Sequence, residues 1–536
     1  KRVIINELVC EGCGDCGVKS NCVSIQPVET EFGRKRRIDQ SSCNKDFSCT
    51  DGFCPSFVTV HGGRIRKADT SALKSVPDPL AGLPAPDVAS LDRGWASIID
   101  GVGGTGVVTI GAILGMAAHL EGKGCGMIDM AGLAQKGGAV FSHVRIAHTP
   151  ADIQAIRISA GKADLVLGCD LVVSGSKKVL TSVREGETAF LVNTNEVMPG
   201  DFARNADFSL PTERLKRAIV KAAGAEKASF FNATVAATRL FGNAIAANMM
   251  MLGMASQKGA LPLSPDSVEE AIRLNGQSVK MNIEAFRWGR KAAHDPQSVE
   301  ALFPDQHAEA ETVVEETVAD IIDRRAQFLA DYQNEAWAAK YRDILQPLVT
   351  AEELALGKAG SVSEAAARSL FKLMAIKDEY EVARLYSDGS FKRQLGKQFE
   401  SYDRLEYHMA PPVLGRKDNK GHPVKTTFGR GMAVLFPLLS ALKVLRGTPL
   451  DVFGYSAERR LERQMLSVFI EEVDQMGKLL RKDNAGDIAG FLSYPMKVKG
   501  YGHVKMANFE AILPEKESIK HSILNDVDGR RPVAAE

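Results

Sequence analysis

No uninterrupted apolar run in this chain reaches the roughly 20 residues that a bilayer-spanning helix needs, so no membrane partner is expected. The opening KRVIINELVC lacks the apolar core of a signal peptide. It also lacks an initiator Met, as expected of a processed chain or of part of a longer polypeptide. Charge of one sign is not in excess: the formal net charge is +1 at pH 7, which gives no electrostatic reason to expect nucleic acid. Cysteine is scarce after the first stretch, because seven of the nine lie within the first 54 residues. Such crowding in a large chain points to metal binding in a reducing cytoplasm, not to a secreted disulfide framework. Hydrophobic residues make up 45% and charged residues 25%, ordinary for a globular protein, and 536 residues imply three or four domains.

The cysteines fall into two frames. CEGCGDC, residues 10–16, holds Cys10, Cys13 and Cys16, and Cys22 follows. CNKDFSC, residues 43–49, holds Cys43, Asp46 and Cys49, and Cys54 follows with Pro55 after it. Two-cluster ferredoxins use a C-x2-C-x2-C run with a remote fourth Cys that serves the other cluster. That rule assigns one [4Fe-4S] cluster to Cys10, Cys13, Cys16 and Cys54. It assigns a second to Cys22, Cys43, Asp46 and Cys49. A carboxylate is a harder ligand than a thiolate, so the second cluster is expected to lose one iron readily and give a [3Fe-4S] form. The alternative is a zinc ribbon, whose two spaced pairs the tight triplet fits poorly. Between the frames, GRKRR (residues 33–37) reads as a solvated hairpin face or as a docking patch for an acidic redox partner.

The Pro-rich KSVPDPLAGLPAPD, residues 74–87, reads as a linker. Beyond it the pattern is a strand at 95–100, then a turn holding Gly101, Gly103, Gly104, Thr105 and Gly106, then a helix over 107–120. The first amides of such a helix suit a phosphate. A second strand over 126–129 places Asp129 where a ribose-binding acid is expected. The same glycines serve equally well for close helix–sheet packing. Further alternation of strands and helices implies a parallel sheet covered on both faces. Ligands of such sheets bind beyond the strand C-terminal ends, here near 101–106, 131–138 and 193–195. Met249, Met250, Met251 and Met254 read as core or interface.

GVGGTGVVTIGAILGMAAHLEGKGCGMIDMAGLAQKGGAVFSHVRIA, residues 101–147, resembles the gamma domain of 2-oxoacid:ferredoxin oxidoreductases. The glycine turn and QKGGAVFSHVRI (135–146) carry the match, and the order of segments is similar to the fused bacterial indolepyruvate ferredoxin oxidoreductases. The resemblance implies a two-cluster ferredoxin-like α+β module over 1–66, a linker over 67–93, an α/β parallel-sheet gamma domain over 94–295 and a mainly helical C-terminal region over 296–536. In that family thiamine diphosphate with Mg2+ decarboxylates a 2-oxo acid, coenzyme A takes the acyl group, and iron–sulfur clusters pass electrons to ferredoxin. The thiamine motif G-D-G is missing here; GDF at 200 and GDI at 486 lack its last Gly. The carbon chemistry is therefore expected in an upstream or partner thiamine-binding chain, and a homodimer of the full enzyme is a family expectation. Asp46 and Val23 depart from the usual Cys and Pro of the cluster motif. His143 and Lys136 lie on the matching segment, with His143 read as structural.

Two rivals stay open. One is an NAD(P)H-dependent electron-transfer subunit, with residues 101–106 on the pyrophosphate and Asp129 on the ribose. The other is an assembly subunit with structural clusters. In the C-terminal region, GRGMAVLFPLLSALKVLRG is the most apolar stretch, expected to be buried and kinked at Pro437. YHMAPPVLGRKDNKGHP reads as a loop carrying His408 and Arg416, and GYSAERRLERQMLSVFIEEVDQMGKLLRK as a final long helix.

Overall fold

The computed structural model describes residues 1–66, 78–103, 106–131, 138–200, 202, 205–302, 316–410 and 424–527. Two compact units emerge: Lys1–Arg66 with Val313–Glu536, and Lys67–Thr312. The cysteine-rich segment thus shares its unit with the C-terminal region.

β-Branched residues in RVII and FVTVH favour extended chain. They form β1 (Arg2–Ile5) and β4 (Phe57–His61), paired antiparallel with Ile5 opposite Phe57. Between them lies a short hairpin, β2 (Ile25–Val28) and β3 (Lys35–Ile38), with Ile25 opposite Ile38. The two cysteine loops occupy the connections on either side of this hairpin, and β5 (Arg64–Ile65) ends the segment. The GRKRR stretch is not a solvated face. Lys35 and Arg36 are buried and only Arg37 of the three is exposed; adjacent strand residues point to opposite faces, so both faces of this hairpin strand are covered at these positions.

The other unit is a six-stranded sheet in the order β11-β10-β9-β6-β8-β7. Its strands are β6 (Trp95–Val102), β7 (Gly124–Ala131), β8 (Ala139–Ala147), β9 (Leu165–Gly168), β10 (Ala189–Asn193) and β11 (Ala228–Phe231). The four strands β11, β10, β9 and β6 are parallel, as the helix–strand alternation predicts. β8 runs antiparallel to β6 and to β7, so the sheet is mixed. β7, expected as a parallel second strand, lies at the antiparallel edge with β8 between it and β6. The four methionines of the helix Ala247–Gln257 are all buried in the core of this unit.

The C-terminal region is mainly helical, with long helices at Glu335–Leu356, Ala457–Leu479 and Gly502–Val527. Ala457–Leu479 is not the last helix, since Ala485–Leu492 and Gly502–Val527 follow it. The region also supplies β12 (Phe399–Ser401), β13 (Arg404–Met409) and β14 (Thr426–Phe428). β13 pairs with β4 and extends the N-terminal sheet to β1-β4-β13-β14. His408 therefore sits on a strand, where its Nε2 meets Thr59 Oγ1 at 2.7 Å; Arg416 lies outside the described residues. The helix Met432–Ala441 runs through Pro437 and buries only Met432 and Phe436 within its unit. Val434 and Leu438 are exposed, so apolar content here does not mean burial within this unit. Among the described residues no helix is long and apolar enough to cross a membrane.

Candidate functional site

Both cysteine loops are built on left-handed backbone. In the first, Gly12 has φ +68° and Gly14 φ +82°. Without a side chain both adopt this region freely. Gly12 also has no room for one, because a Cβ would lie 2.2 Å from the Arg34 carbonyl oxygen. The loop then enters the helix Asp15–Ser20. The second loop repeats this backbone position for position. Lys45 stands where Gly12 does, with φ +63°, and Phe47 where Gly14 does, with φ +64°, before the turn Ser48–Asp51. Non-glycine residues in this region cost roughly 1–2 kcal/mol each, so the rest of the fold imposes the conformation.

These loops gather the predicted residues into two sets. Cys10, Cys13, Cys16 and Cys54 line one small cavity. Cys22, Cys43 and Asp46 are the electrostatic neighbours of Cys49. Both sets pack on one small apolar core with Ile5, Ile25, Ile38 and Phe57. The Gly12 N–H donates to Cys10 Sγ at 3.3 Å, and Cys54 Sγ lies 2.9 Å from Ser56 Oγ. The Phe53 N–H donates to Asp15 Oδ2 at 2.6 Å, which ties the Cys54 segment to the first loop. Burial, with repulsion from neighbouring thiols, pushes the Cys13 and Cys16 thiols up. Burial also raises Cys54, and Cys49 is pushed up to about 12. Among the described residues no three or more His, Cys, Asp or Glu side chains are gathered to hold a single metal ion.

Asp46 is exposed, and its carboxylate is held locally. Oδ1 accepts from the Ser48 N–H at 3.1 Å and from the Ser48 hydroxyl at 2.8 Å, while Oδ2 accepts from Asn44 at 3.1 Å.

The C-terminal region supplies supports that motif reading missed. Lys425 Nζ donates to the Thr50 and Gly52 carbonyl oxygens at 2.7 and 2.6 Å. The Tyr386 hydroxyl donates to Pro55 O at 2.7 Å, and the Tyr501 hydroxyl to Val9 O at 2.6 Å. Lys377 Nζ donates to Cys10 O at 3.1 Å. Arg36 is buried beside Cys10, Cys13 and Cys16. No spacing rule marks Lys377, Tyr386, Lys425 or Tyr501, since their partners are several hundred positions away.

In the sheet unit, Gly101 lies one residue before the end of β6, where a Cβ would meet Val107 at 2.7 Å and Cys169 at 3.1 Å, so close packing accounts for it. The Gly103 N–H donates to Gly138 O at 2.8 Å. Gly106 caps the helix Val107–Leu120 with φ +92° and no side-chain cap bond. Gly104, Thr105, Gln135 and Lys136 lie outside the described residues. Asp129 accepts from the Ser142 hydroxyl at 2.6 Å on the edge strand β7. The ribose role drawn from a parallel second strand therefore loses its geometric basis. His143 Nδ1 accepts the Ile158 N–H at 3.0 Å, and burial with nearby Lys178, Arg157 and Arg145 lowers its pKa. That bond to the backbone fits the structural reading of His143.

Asp100, beside the glycine turn, was not marked by any motif. It is fully buried; Oδ1 accepts from the Ser174 hydroxyl at 2.8 Å, and among the described residues Oδ2 has no partner. Burial, with Asp170 nearby, pushes its carboxyl well above the ordinary range. The folded state thus keeps a proton that the unfolded chain releases above an ordinary aspartate pKa, and stability falls as pH rises through that window. Asp100→Asn is expected to stabilise the protein by about 1–3 kcal/mol at neutral pH. The gain should vanish near pH 4, as thermal melts across pH will show.

Residues 96–292 match the family described as pyruvate ferredoxin/flavodoxin oxidoreductase, and residues 318–517 match a family of unknown function, DUF6537. The indolepyruvate oxidoreductase subunit IorB of Pyrococcus horikoshii is 30% identical over 200 residues, 37% of this chain and 95% of its own. The subunit of the same name from Methanothermobacter thermautotrophicus is 31% identical over 195 residues, 36% of this chain and 94% of its own. The gamma subunit of a keto/oxoacid ferredoxin oxidoreductase from Geobacter sulfurreducens aligns with 37% of this chain and 98% of its own, at 22% identity and a TM-score of 0.27. Through a domain that spans nearly the whole of these archaeal relatives, the chain belongs to the family of the indolepyruvate oxidoreductase subunit IorB.

Proposed function

We propose that this chain is the electron-exit and gamma-domain part of a thiamine diphosphate-dependent indolepyruvate (aryl or branched 2-oxo acid):ferredoxin oxidoreductase. The carrying observation is that Cys10, Cys13, Cys16 and Cys54, from opposite ends of the N-terminal segment, line one cavity in a chain of this family. Their donor chemistry suits iron–sulfur ligation. Four sulfurs around a space match a cubane, where each thiolate takes its own iron, while zinc needs its ligands about one ion. Buried thiols with raised pKa ionise readily only when a cation compensates them. The second set, with the same loop backbone and three thiols plus Asp46, would hold the second cluster.

Bound clusters would supply one-electron outer-sphere transfer to ferredoxin. The chain's own residues do the rest. The Gly12 amide steadies the Cys10 sulfur, and burial keeps water from the first set. Arg36 and Lys425 place positive charge beside the first thiol set, which favours its anionic form. Thiamine diphosphate with Mg2+ belongs to a partner subunit or domain, since no G-D-G motif occurs here; coenzyme A is the acyl acceptor. Relatives named as subunits support such a partner. The NAD(P)H reading loses support from the edge position of Asp129.

Iron and acid-labile sulfide analysis of anaerobically prepared protein tests the reading. About eight irons per chain are expected for two cubanes; zinc in their place would sink the proposal. Asp46 has its own test. Replacing it with Cys should give a second cluster that resists oxidation, while the parent accumulates the [3Fe-4S] signal in electron paramagnetic resonance. Identical spectra would show that the carboxylate serves only its turn.

A further inference from the structure

A second cavity, about 240 Å³, lies in the unit that holds the cysteine loops. One wall is apolar and includes Phe328, Phe371 and Met465. The two rings meet at 5.3 Å, nearly perpendicular. The rest of the lining is strongly cationic, with eight Lys and Arg side chains against four Glu. The four acids are already engaged. Glu11 pairs with Lys377 at 2.6 Å and Glu462 with Lys505 at 2.5 Å. Glu381 and Glu31 pair with arginines that do not line the cavity, Arg384 at 2.8 Å and Arg324 at 3.0 Å.

Two further ammonium groups share Glu11, which is already paired with Lys377. Lys35 is 7% exposed and lies beside Lys377 as well as near Glu11. Lys372 donates to the Met496 carbonyl oxygen at 3.2 Å. Among the described residues neither forms a direct ion pair with a carboxylate. Arg325, 2% exposed, also lines the space; its guanidinium donates to the Ile321 and Glu31 carbonyl oxygens and lies over the Phe371 ring, and among the described residues its Nε has no partner. One carboxylate therefore serves four lysines, Lys35, Lys372, Lys377 and Lys505, and positive charge exceeds negative around it. A cavity lined by both these cations and aromatic rings is shaped for a counter-ion with an apolar body.

We propose that this cavity binds a small organic carboxylate, its anionic end on Lys35 and Lys372 and its apolar body against Phe328 and Phe371. The volume lies just under the roughly 300 Å³ at which ordinary ligand pockets begin. It admits a molecule of about ten heavy atoms and excludes a nucleotide-sized cofactor.

Calorimetric titration of the full chain with phenylacetate is the test, with benzyl alcohol and inorganic phosphate as controls. Saturable binding of phenylacetate is expected. Lys372→Met and Lys35→Met should each weaken it by about tenfold or more, the worth of roughly 1.4 kcal/mol. Benzyl alcohol should bind at least about tenfold more weakly, and phosphate should not compete. The proposal is overturned if phenylacetate does not saturate, if both variants bind as the parent does, or if phosphate displaces it at equal concentration. Far-UV circular dichroism establishes that the variants fold; should either fail, the benzyl alcohol and phosphate comparisons on the parent chain still decide.

Discussion

Cys54→Ala is expected to leave the protein with about half of its iron, the content of one cluster in place of two. Cys54 closes the first thiol set from outside the CEGCGDC loop, and the other three cannot complete four corners. The Tyr386 hydroxyl holds the adjacent Pro55 carbonyl, and the Phe53 amide holds Asp15. The backbone should therefore keep its place when the sulfur is lost. The clean expectation is loss of one cluster's spectrum with retained helix content, and a fall in ferredoxin reduction of about a hundredfold or more, if each tenfold corresponds to 1.4 kcal/mol of barrier. Iron analysis and electron paramagnetic resonance check the first part, and steady-state reduction with the thiamine-bearing partner checks the second. Retention of both clusters would reassign the fourth ligand.

Gly12→Ala carries the other large effect, through the backbone alone. The left-handed conformation costs an alanine roughly 1–2 kcal/mol. Contact of the new Cβ with the Arg34 carbonyl oxygen, at 2.2 Å without relaxation, adds roughly 1–3 kcal/mol of overpacking strain. Together these destabilise the first loop by about 2–5 kcal/mol. The first cluster should be lost or become labile while the second persists. Lys45 is the internal control. It tolerates the same φ in the second loop, so the angle alone does not forbid a side chain. Lys45→Gly is expected to stabilise the second loop by about 1 kcal/mol. Denaturant unfolding monitored by cluster absorbance distinguishes the two loops.

Local features were legible where the chemistry is local. The three-residue spacing of cysteines, the glycine turn after β6 and the helix over Val107–Leu120 follow from nearest neighbours along the chain. So does the family, through residues 101–147. The buried methionines also followed, because an apolar run in an α/β segment has few places to go. Features set by distant partners were not legible. The GRKRR run reads as solvent-facing, yet β3 is covered on both faces, which buries Lys35 and Arg36. The strand at Gly124–Ala131 reads as the second of a parallel sheet, yet β8 inserts between it and β6. The apolar helix Met432–Ala441 reads as buried, yet its unit covers only one face. Periodicity tells which faces differ; it does not tell which neighbour arrives.

By itself the sequence determined which atoms are available for metal and in what order: soft sulfur at fixed short intervals, one carboxylate among it, and no thiamine motif. Those are properties of covalent spacing and ligand type. Only the tertiary structure decided that the C-terminal region extends the N-terminal sheet through β13 and clamps the cysteine loops with Lys377, Tyr386, Lys425 and Tyr501. It also decided that basic side chains from both ends of the chain line one cavity. The reason is that strand pairing and ion pairing depend on distance in space, and these partners lie more than three hundred residues apart in the chain.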